Sequence, residues 1–418
     1  MNEKWLLSTE IFDEYERRFA EARVKKVMTH PWEPEVREQI IEQAKKMLRY
    51  DEKLMPEIGN MEEISRTPYD TYDAIQYRYT TWEHFYGAVT LYMPRTDKKI
   101  PLVFVCCGHG EEGRLTDSYI AMGHRLASLG MGAMVIDNIG QGDRNLTKGE
   151  FKAPDHWNAI APFYCGLTLQ GLIVMETIAL IRYMKNDPRF DTGRFAACGN
   201  SGGGTLTMFL AALAPELSVL SSSGYPSEVT YVLQKERRHC ACNLLIGQAH
   251  SAEMWEMYSV FAPKPMLLEG GKLDNLLPLD LAHRNARKVR NTYVQLGANE
   301  NFEFDLTDTT HSWGLEDLNY ISRFLCQRLM GITPEDMAAS FECDSLDPFR
   351  VEMPADMLTT EELCTALTGI KMPAGTELED VFVPTYKGEK VDPAIIQNDV
   401  GRGDIMRVFA QFECDLAK

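Results

Sequence analysis

Between residues 102 and 330 the chain repeats one pattern: a short apolar run, a loop, then a stretch of helical length. The apolar runs are Leu102 to Cys107, Ala133 to Asp137, Arg194 to Cys198, Leu217 to Ser221, Pro265 to Leu268 and Phe302 to Leu306. The helical stretches fall near 114–129, 168–185, 202–214, 279–296 and 315–330. Short buried-looking strands that alternate with helices predict a largely parallel sheet covered by helices, an α/β fold.

The flanking segments read differently. Residues 1–73 carry two charged stretches of helical period, Ser8 to Lys26 and Glu33 to Leu54, split by His30-Pro31-Trp32-Glu33-Pro34, whose prolines interrupt a helix. They predict an N-terminal helical arm. Two alternating β-rich runs, Ala74 to Thr80 and Tyr86 to Met93, then predict a hairpin leading into the sheet. After Gly331 prolines and acidic residues multiply, and only 359–368 has a helical pattern. The expected division is an arm at 1–73, a main α/β domain at 74–330 and a C-terminal extension at 331–418.

With 418 residues, 44% hydrophobic and 25% charged, the composition is that of a folded globular protein with a sizeable core. Lys and Arg number 43 against 61 Asp and Glu, a net charge of −18 that repels nucleic acid and anionic membranes. Small or neutral ligands are the expected partners. The first ten residues lack a basic segment followed by an apolar one, no run approaches the ~18 apolar residues of a membrane helix, and the 10 cysteines sit mostly in apolar strings. The expectation is a cytoplasmic chain with reduced thiols.

Two glycine motifs compete for the meaning of the sheet. Gly108-His109-Gly110-Glu111-Glu112-Gly113 follows one strand and precedes a helix, and the next strand ends in Asp137, which is the context of a dinucleotide site. Such a site must hold a pyrophosphate at a helix N-terminus, and Glu111 and Glu112 oppose that charge. This leaves a nicotinamide-dependent oxidoreductase as an alternative of another class.

Gly199-Asn200-Ser201-Gly202-Gly203-Gly204 also joins a strand to a helix and contains G-x-S-x-G. A nucleophile elbow forces its serine into a strained turn, so the residues two before and two after it must lack side chains; Gly199 and Gly203 meet that need. The helix that follows directs its amides at the serine, which favours a developing oxyanion. The elbow requires an acid and then a histidine later in the chain. Pro265-Met266-Leu267-Leu268-Glu269-Gly270-Gly271-Lys272-Leu273-Asp274 supplies a strand, a glycine turn and Asp274, and Asp308-Thr309-Thr310-His311-Ser312-Trp313 supplies His311 on the loop after the last strand. Asp308 is the rival acid, but so near His311 in one loop it is expected to shape the turn. The predicted triad is Ser201, Asp274 and His311, with oxyanion donors from the Gly202 amide and from the turn after Leu102 to Cys107.

These residues resemble α/β-hydrolases related to acetyl xylan esterases and cephalosporin-C deacetylases. The likeness rests on Cys107-Gly108-His109-Gly110, Asp137-Asn138-Ile139-Gly140-Gln141-Gly142, the elbow, and His239-Cys240-Ala241-Cys242-Asn243 leading through Ala262-Pro263-Lys264-Pro265 to Asp274. Met372-Pro373-Ala374-Gly375 and Asp380-Val381-Phe382-Val383 resemble the C-terminal extension of some members. The resemblance implies an α/β-hydrolase fold, ester hydrolysis without metal or organic cofactor, and a backbone donor at His109; where esterases commonly have His-Gly, this chain has Cys107-Gly108.

The expected activity is that of a serine carboxylic-ester hydrolase working through an acyl-enzyme, a deacetylase of small or carbohydrate esters. A methyl-esterase or acyltransferase would use the same triad. The expected partner is a small-molecule or oligosaccharide ester, with room for a homo-oligomer. Trp157, Tyr164, Tyr225, Trp255 and Trp313 lie near sheet-edge loops and are candidates for a pocket wall. His239-Cys240-Ala241-Cys242 crowds its ligands too closely for zinc. Arg402-Gly403-Asp404 and Asn145-Leu146-Thr147 match short adhesion and glycosylation motifs by chance.

Overall fold

Nine strands of a computed structural model, which describes residues 32–145, 160–229, 245, 251–341, 343 and 345–374, form one sheet in the order β1-β2-β3-β5-β4-β6-β7-β8-β9. They are β1 (Gly59–Pro68), β2 (Tyr72–Thr80), β3 (Tyr86–Pro94), β4 (Ile100–Cys106), β5 (Gly132–Ile136), β6 (Phe190–Asn200), β7 (Val219–Ser223), β8 (Met266–Gly271) and β9 (Phe302–Thr307). The pairs β1–β2, β2–β3 and β3–β5 are antiparallel. From β5 through β4 and on to β9 every pair is parallel. The helices are α1 (Pro34–Leu48), α2 (Asp117–Ser128), α3 (Ile160–Tyr164), α4 (Leu169–Met184), α5 (Gly202–Leu213), α6 (Met254–Ser259), α7 (Leu279–Gln295), α8 (Leu315–Met330) and α9 (Thr360–Thr368).

The central strands are apolar on both faces because both faces are covered. On β4, Leu102, Phe104 and Cys106 point into a core shared with α1, α4 and α5, while Val103 and Val105 point into a second core with α2 and α8. Helix α4 is buried nearly all round, which explains its almost unbroken apolar sequence. Thr168 caps its first turn, accepting from the Gly171 amide at 3.0 Å, and donates to the Leu48 carbonyl at 2.7 Å, so α1 is tied end-on to the main domain.

The six apolar runs and five helical stretches fall where their patterns predict. The helical arm is interrupted earlier than its period suggests: α1 stops at Arg49, which adopts the left-handed conformation at φ 55°, and Glu52–Leu54 is a separate 3₁₀ turn. Ser8 to Lys26 lies outside the described residues. Strand β1, within the stretch read as arm, is already part of the sheet. Among the described residues no helix is long and apolar enough to cross a membrane.

Parallel pairing brings the C-terminal ends of β4, β5, β6, β8 and β9 to one edge of the sheet. The loops starting at Cys107, Asp137, Ser201, Lys272 and Asp308 therefore cluster there, as the strand-end crevice of an α/β sheet requires.

Candidate active site

Ser201 sits between β6 and α5 with φ 59° and ψ −116°, a backbone conformation outside the ordinary regions for a residue with a side chain. The two flanking glycines make that turn sterically feasible. A side chain on Gly203 would run into the Cys106 carbonyl oxygen, and one on Gly199 into the Gly203 carbonyl. The Ser201 amide donates to the Ser223 carbonyl at 3.0 Å, so the elbow is braced by β7.

His311 Nε2 lies 2.7 Å from Ser201 Oγ, and His311 Nδ1 lies 2.7 Å from Asp274 Oδ2. Residues 110 and 37 positions apart along the chain thus meet in the linear order serine, imidazole, carboxylate. The Asp274 side chain is 3% exposed and that of His311 23% exposed, which leaves the imidazole reachable and keeps its carboxylate partner away from water. The second oxygen of Asp274 accepts the Leu276 amide at 2.7 Å and the Leu277 amide at 3.3 Å, fixing the carboxylate plane. Asp308 is turned outward, paired with Lys272 at 2.7 Å with its side chain 76% exposed, so it shapes the loop and does not meet the imidazole.

The loop after β4 packs directly on the elbow. A side chain on Gly108 would come within 3.0 Å of Ser201 Cβ, and one on Gly202 would come within 2.6 Å of the His109 ring. The Gly108 amide is spent on Tyr119 Oη at 2.5 Å, which moves the question of an oxyanion donor one residue on, to His109. Asn138 Nδ2 holds the Cys107 carbonyl at 2.8 Å. Trp313 stacks edge-on to Tyr119 with ring centroids 5.5 Å apart, so this Trp supports the turn from behind. Tyr225 and Trp313 are buried, and Tyr164 and Trp255 pack against the main core; Trp157 lies outside the described residues.

Asp137, the acid a dinucleotide site would aim at a ribose, is fully buried and bonded to the Arg114 guanidinium and, at 2.7 Å, to the Arg114 amide. Burial pushes its carboxyl above the usual carboxylate range despite the Arg114 charge. A 3₁₀ turn at Gly113–Leu115 stands between the last glycine of the motif and the start of α2 at Asp117, so the glycine loop does not open directly into the helix as a pyrophosphate site requires. The Gly108 to Gly113 loop therefore serves the elbow. His239 to Cys242 lies outside the described residues, and among the described residues no three His, Cys, Asp or Glu side chains cluster as metal ligands would.

Four supporting residues escaped sequence reasoning. Asn200 Nδ2 donates to the His311 carbonyl at 2.8 Å, Tyr119 takes the Gly108 amide, and the buried carboxyls of Glu269 and Asp317 flank the root of the His311 loop. Thr307 Oγ1 donates to Glu269 at 3.2 Å and also bonds to Asp317, and Asp317 Oδ2 accepts the Gly314 amide at 2.6 Å. Burial, and then the nearby Asp317 charge, raise Glu269 well above the ordinary glutamate range. Only Asn200 carried a signal, its place inside the elbow motif.

A mostly parallel sheet with an antiparallel start, a strained serine at a strand–helix elbow, and an acid and histidine on the later strand-end loops define an α/β-hydrolase fold. No family model matches the chain. The candidate hydrolase YtaP of Bacillus subtilis (strain 168) is 25% identical over 175 residues, covering 41% of this chain and 56% of that protein, so the chain spans about half the length of the curated relative it matches. Among solved structures, methylesterase BT1017 superposes with a TM-score of 0.54 at 19% identity over 70% of this chain and 62% of its own. A candidate acetyl xylan esterase of Bacteroides fragilis NCTC 9343 gives 0.54 at 16% identity, covering 65% of this chain and 74% of its own. A glucuronoyl esterase from Solibacter usitatus gives 0.54 at 11%, covering 70% and 91%.

Proposed function

We propose that the chain is a serine carboxylic-ester hydrolase that works through an acyl-enzyme on small or carbohydrate esters. The observation that carries this reading is the pair of 2.7 Å contacts linking Ser201, His311 and Asp274 at a strained elbow. In the mechanism, His311 Nε2 accepts the Ser201 proton as Oγ attacks the substrate carbonyl carbon. Asp274 orients the ring and stabilises the imidazolium. The negative charge on the carbonyl oxygen is received by the amides of Gly202, at the start of α5, and His109; loss of one such donor typically costs ~10²–10³ in rate. Collapse of the intermediate breaks the bond to the alcohol, which takes the proton from His311. A water molecule then repeats the sequence on the acyl-serine, releasing the acid.

Deacetylation is the first reading, supported by the likeness in fold to the candidate acetyl xylan esterase. A methyl-esterase is the second, supported by the likeness to a methylesterase and a glucuronoyl esterase. An acyltransferase would differ only in the final acceptor. We take residues 74–330, together with β1 at the edge of the same sheet, as the catalytic unit, with the remaining segments on either side as attachments. A cytoplasmic location fits the cysteines, of which no two are bonded among the described residues.

The test is intact-mass detection of a fluorophosphonate adduct on wild type and on Ser201→Ala, followed by a panel of acetyl, butyryl and methyl esters read as acetate, butyrate or methanol released. An adduct that vanishes in Ser201→Ala supports the reading. A folded wild type that takes no adduct removes it.

A further inference from the structure

Beyond the triad, the chain builds a charge cluster on the loop that carries His109, with Arg114 and Asp137 buried and Arg350 and Glu112 at the surface. Arg114, fully buried, donates to both oxygens of Asp137 through its amide and guanidinium, and pairs with Asp143 at 2.8 Å. Its Nε donates to Thr90 Oγ1 at 3.2 Å, and Nη2 also reaches a distant part of the chain, the Phe349 carbonyl at 2.6 Å. The next residue, Arg350, bridges Glu112 and, at 3.2 Å, Asp143. The Val351 amide closes the cluster on Asp143 at 2.8 Å. Phe349 and Val351 are each 2% exposed, so the segment is inserted between these charges and is anchored there by its apolar side chains.

The cluster has a consequence for chemistry at Ser201. Glu112 lies in the same short loop as His109, and an uncompensated carboxylate there opposes the oxyanion that forms in the transition state. Arg114 is already committed to Asp137 and Asp143. Arg350 is the cation that meets Glu112, and it does so from outside the strand–helix framework.

We propose that Arg350 is a positioning residue for the oxyanion turn: by bridging Glu112 and Asp143 it holds the Gly108–Gly113 loop against the elbow and offsets the Glu112 carboxylate of that loop. The proposal rests on the esterase reading. It makes residues 347–351 a working part of the active site, although they touch neither substrate nor triad.

The experiment uses the full chain and p-nitrophenyl acetate, with fluorophosphonate inactivation as a second readout, because phosphonylation of Ser201 needs the same donors. Arg350→Ala is expected to lower kcat about tenfold while KM stays within about twofold, to slow inactivation by the same factor, and to leave the melting temperature within a few degrees. Arg350→Lys is expected to recover part of the rate. Glu112→Gln, which removes the carboxylate, is expected to recover rate when added to Arg350→Ala, and it reads the same contact if Arg350→Ala fails to fold. Arg323→Ala, which breaks another surface pair with Asp336, serves as the control and is expected to leave kcat unchanged. A wild-type kcat in Arg350→Ala, or a loss that follows the melting temperature and is not recovered by Glu112→Gln, overturns the proposal. A wild type that takes no fluorophosphonate adduct overturns the esterase reading instead.

Discussion

The side chain of Asn200 holds the main chain of His311: its Nδ2 donates to the His311 carbonyl at 2.8 Å, so the residue before the elbow serine anchors the backbone of the residue whose ring faces that serine. One hydrogen bond thus couples two loops that the sheet alone brings only into the same neighbourhood. Asn200→Asp keeps the shape but replaces the donor by an acceptor facing a carbonyl. We expect kcat to fall by roughly tenfold or more, with a stability loss of ~1 kcal/mol, the usual worth of one such bond. Steady-state kinetics beside thermal unfolding decide it; full activity in Asn200→Asp would show that the loop is held by other contacts.

The choice between the two acids near the imidazole is testable by paired substitution. Asp274→Asn should lower kcat by about 10⁴, as loss of the orienting carboxylate does in serine hydrolases. Asp308→Asn loses only an exposed, water-screened pair with Lys272 and should leave kcat within about twofold. The reverse ranking would reassign the acid.

Strain at Ser201 separates two inactive variants. Holding a residue with a side chain at φ 59°, ψ −116° costs ~1–3 kcal/mol, and glycine relieves it. Glycine also loses ~0.5–1 kcal/mol relative to alanine through the unfolded chain, so the relief outweighs the loss. Ser201→Gly should therefore melt above Ser201→Ala by calorimetry; equal melting temperatures would mean that the turn is unstrained.

The buried carboxyl of Glu269 makes stability depend on pH. Glu269 is raised above its ordinary value by burial and by Asp317, so the folded state retains a proton that the unfolded chain releases. Its contribution is intact below the unfolded value and is lost progressively as pH rises toward the folded one. Glu269→Gln, a neutral side chain of the same shape, should leave the melting temperature nearly unchanged at pH 4 and raise it at pH 8, by roughly 2–4 °C for each kcal/mol recovered. A gain that is the same at both pH values would remove Glu269 as the source.

The meeting of Ser201, His311 and Asp274 was legible in the sequence because each residue is locally marked. Gly199 and Gly203 flank Ser201 at the spacing a strained turn requires, and Asp274 and His311 each follow an apolar strand, so parallel pairing is enough to gather them. Strand β1 was not legible: at the sheet edge its residues are exposed or half-buried on both faces, and Met61-Glu62-Glu63-Ile64-Ser65-Arg66 has no two-residue alternation to betray it. Asp137 invited a cofactor reading because its position after β5 suits a ribose; only its buried contact with Arg114 shows what it does. Arg350 lies 238 positions from Glu112 and 207 from Asp143, and no local pattern encodes a partnership across that distance.

The stretch from Pro348 to Leu358 also reaches the antiparallel end of the sheet: Ser65 donates to the Pro348 carbonyl at 2.9 Å, Arg78 to the Glu352 carbonyl at 2.6 Å, and the Leu358 amide to the His84 carbonyl at 2.9 Å. A ribosome delivers all nine strands before it delivers these residues. During synthesis, then, the nascent sheet must keep Arg114 without its Phe349 acceptor and Glu112 without Arg350 until residues 349 and 350 emerge. The order of translation makes these contacts, on the loop beside Ser201, available only after every strand of the sheet has been delivered.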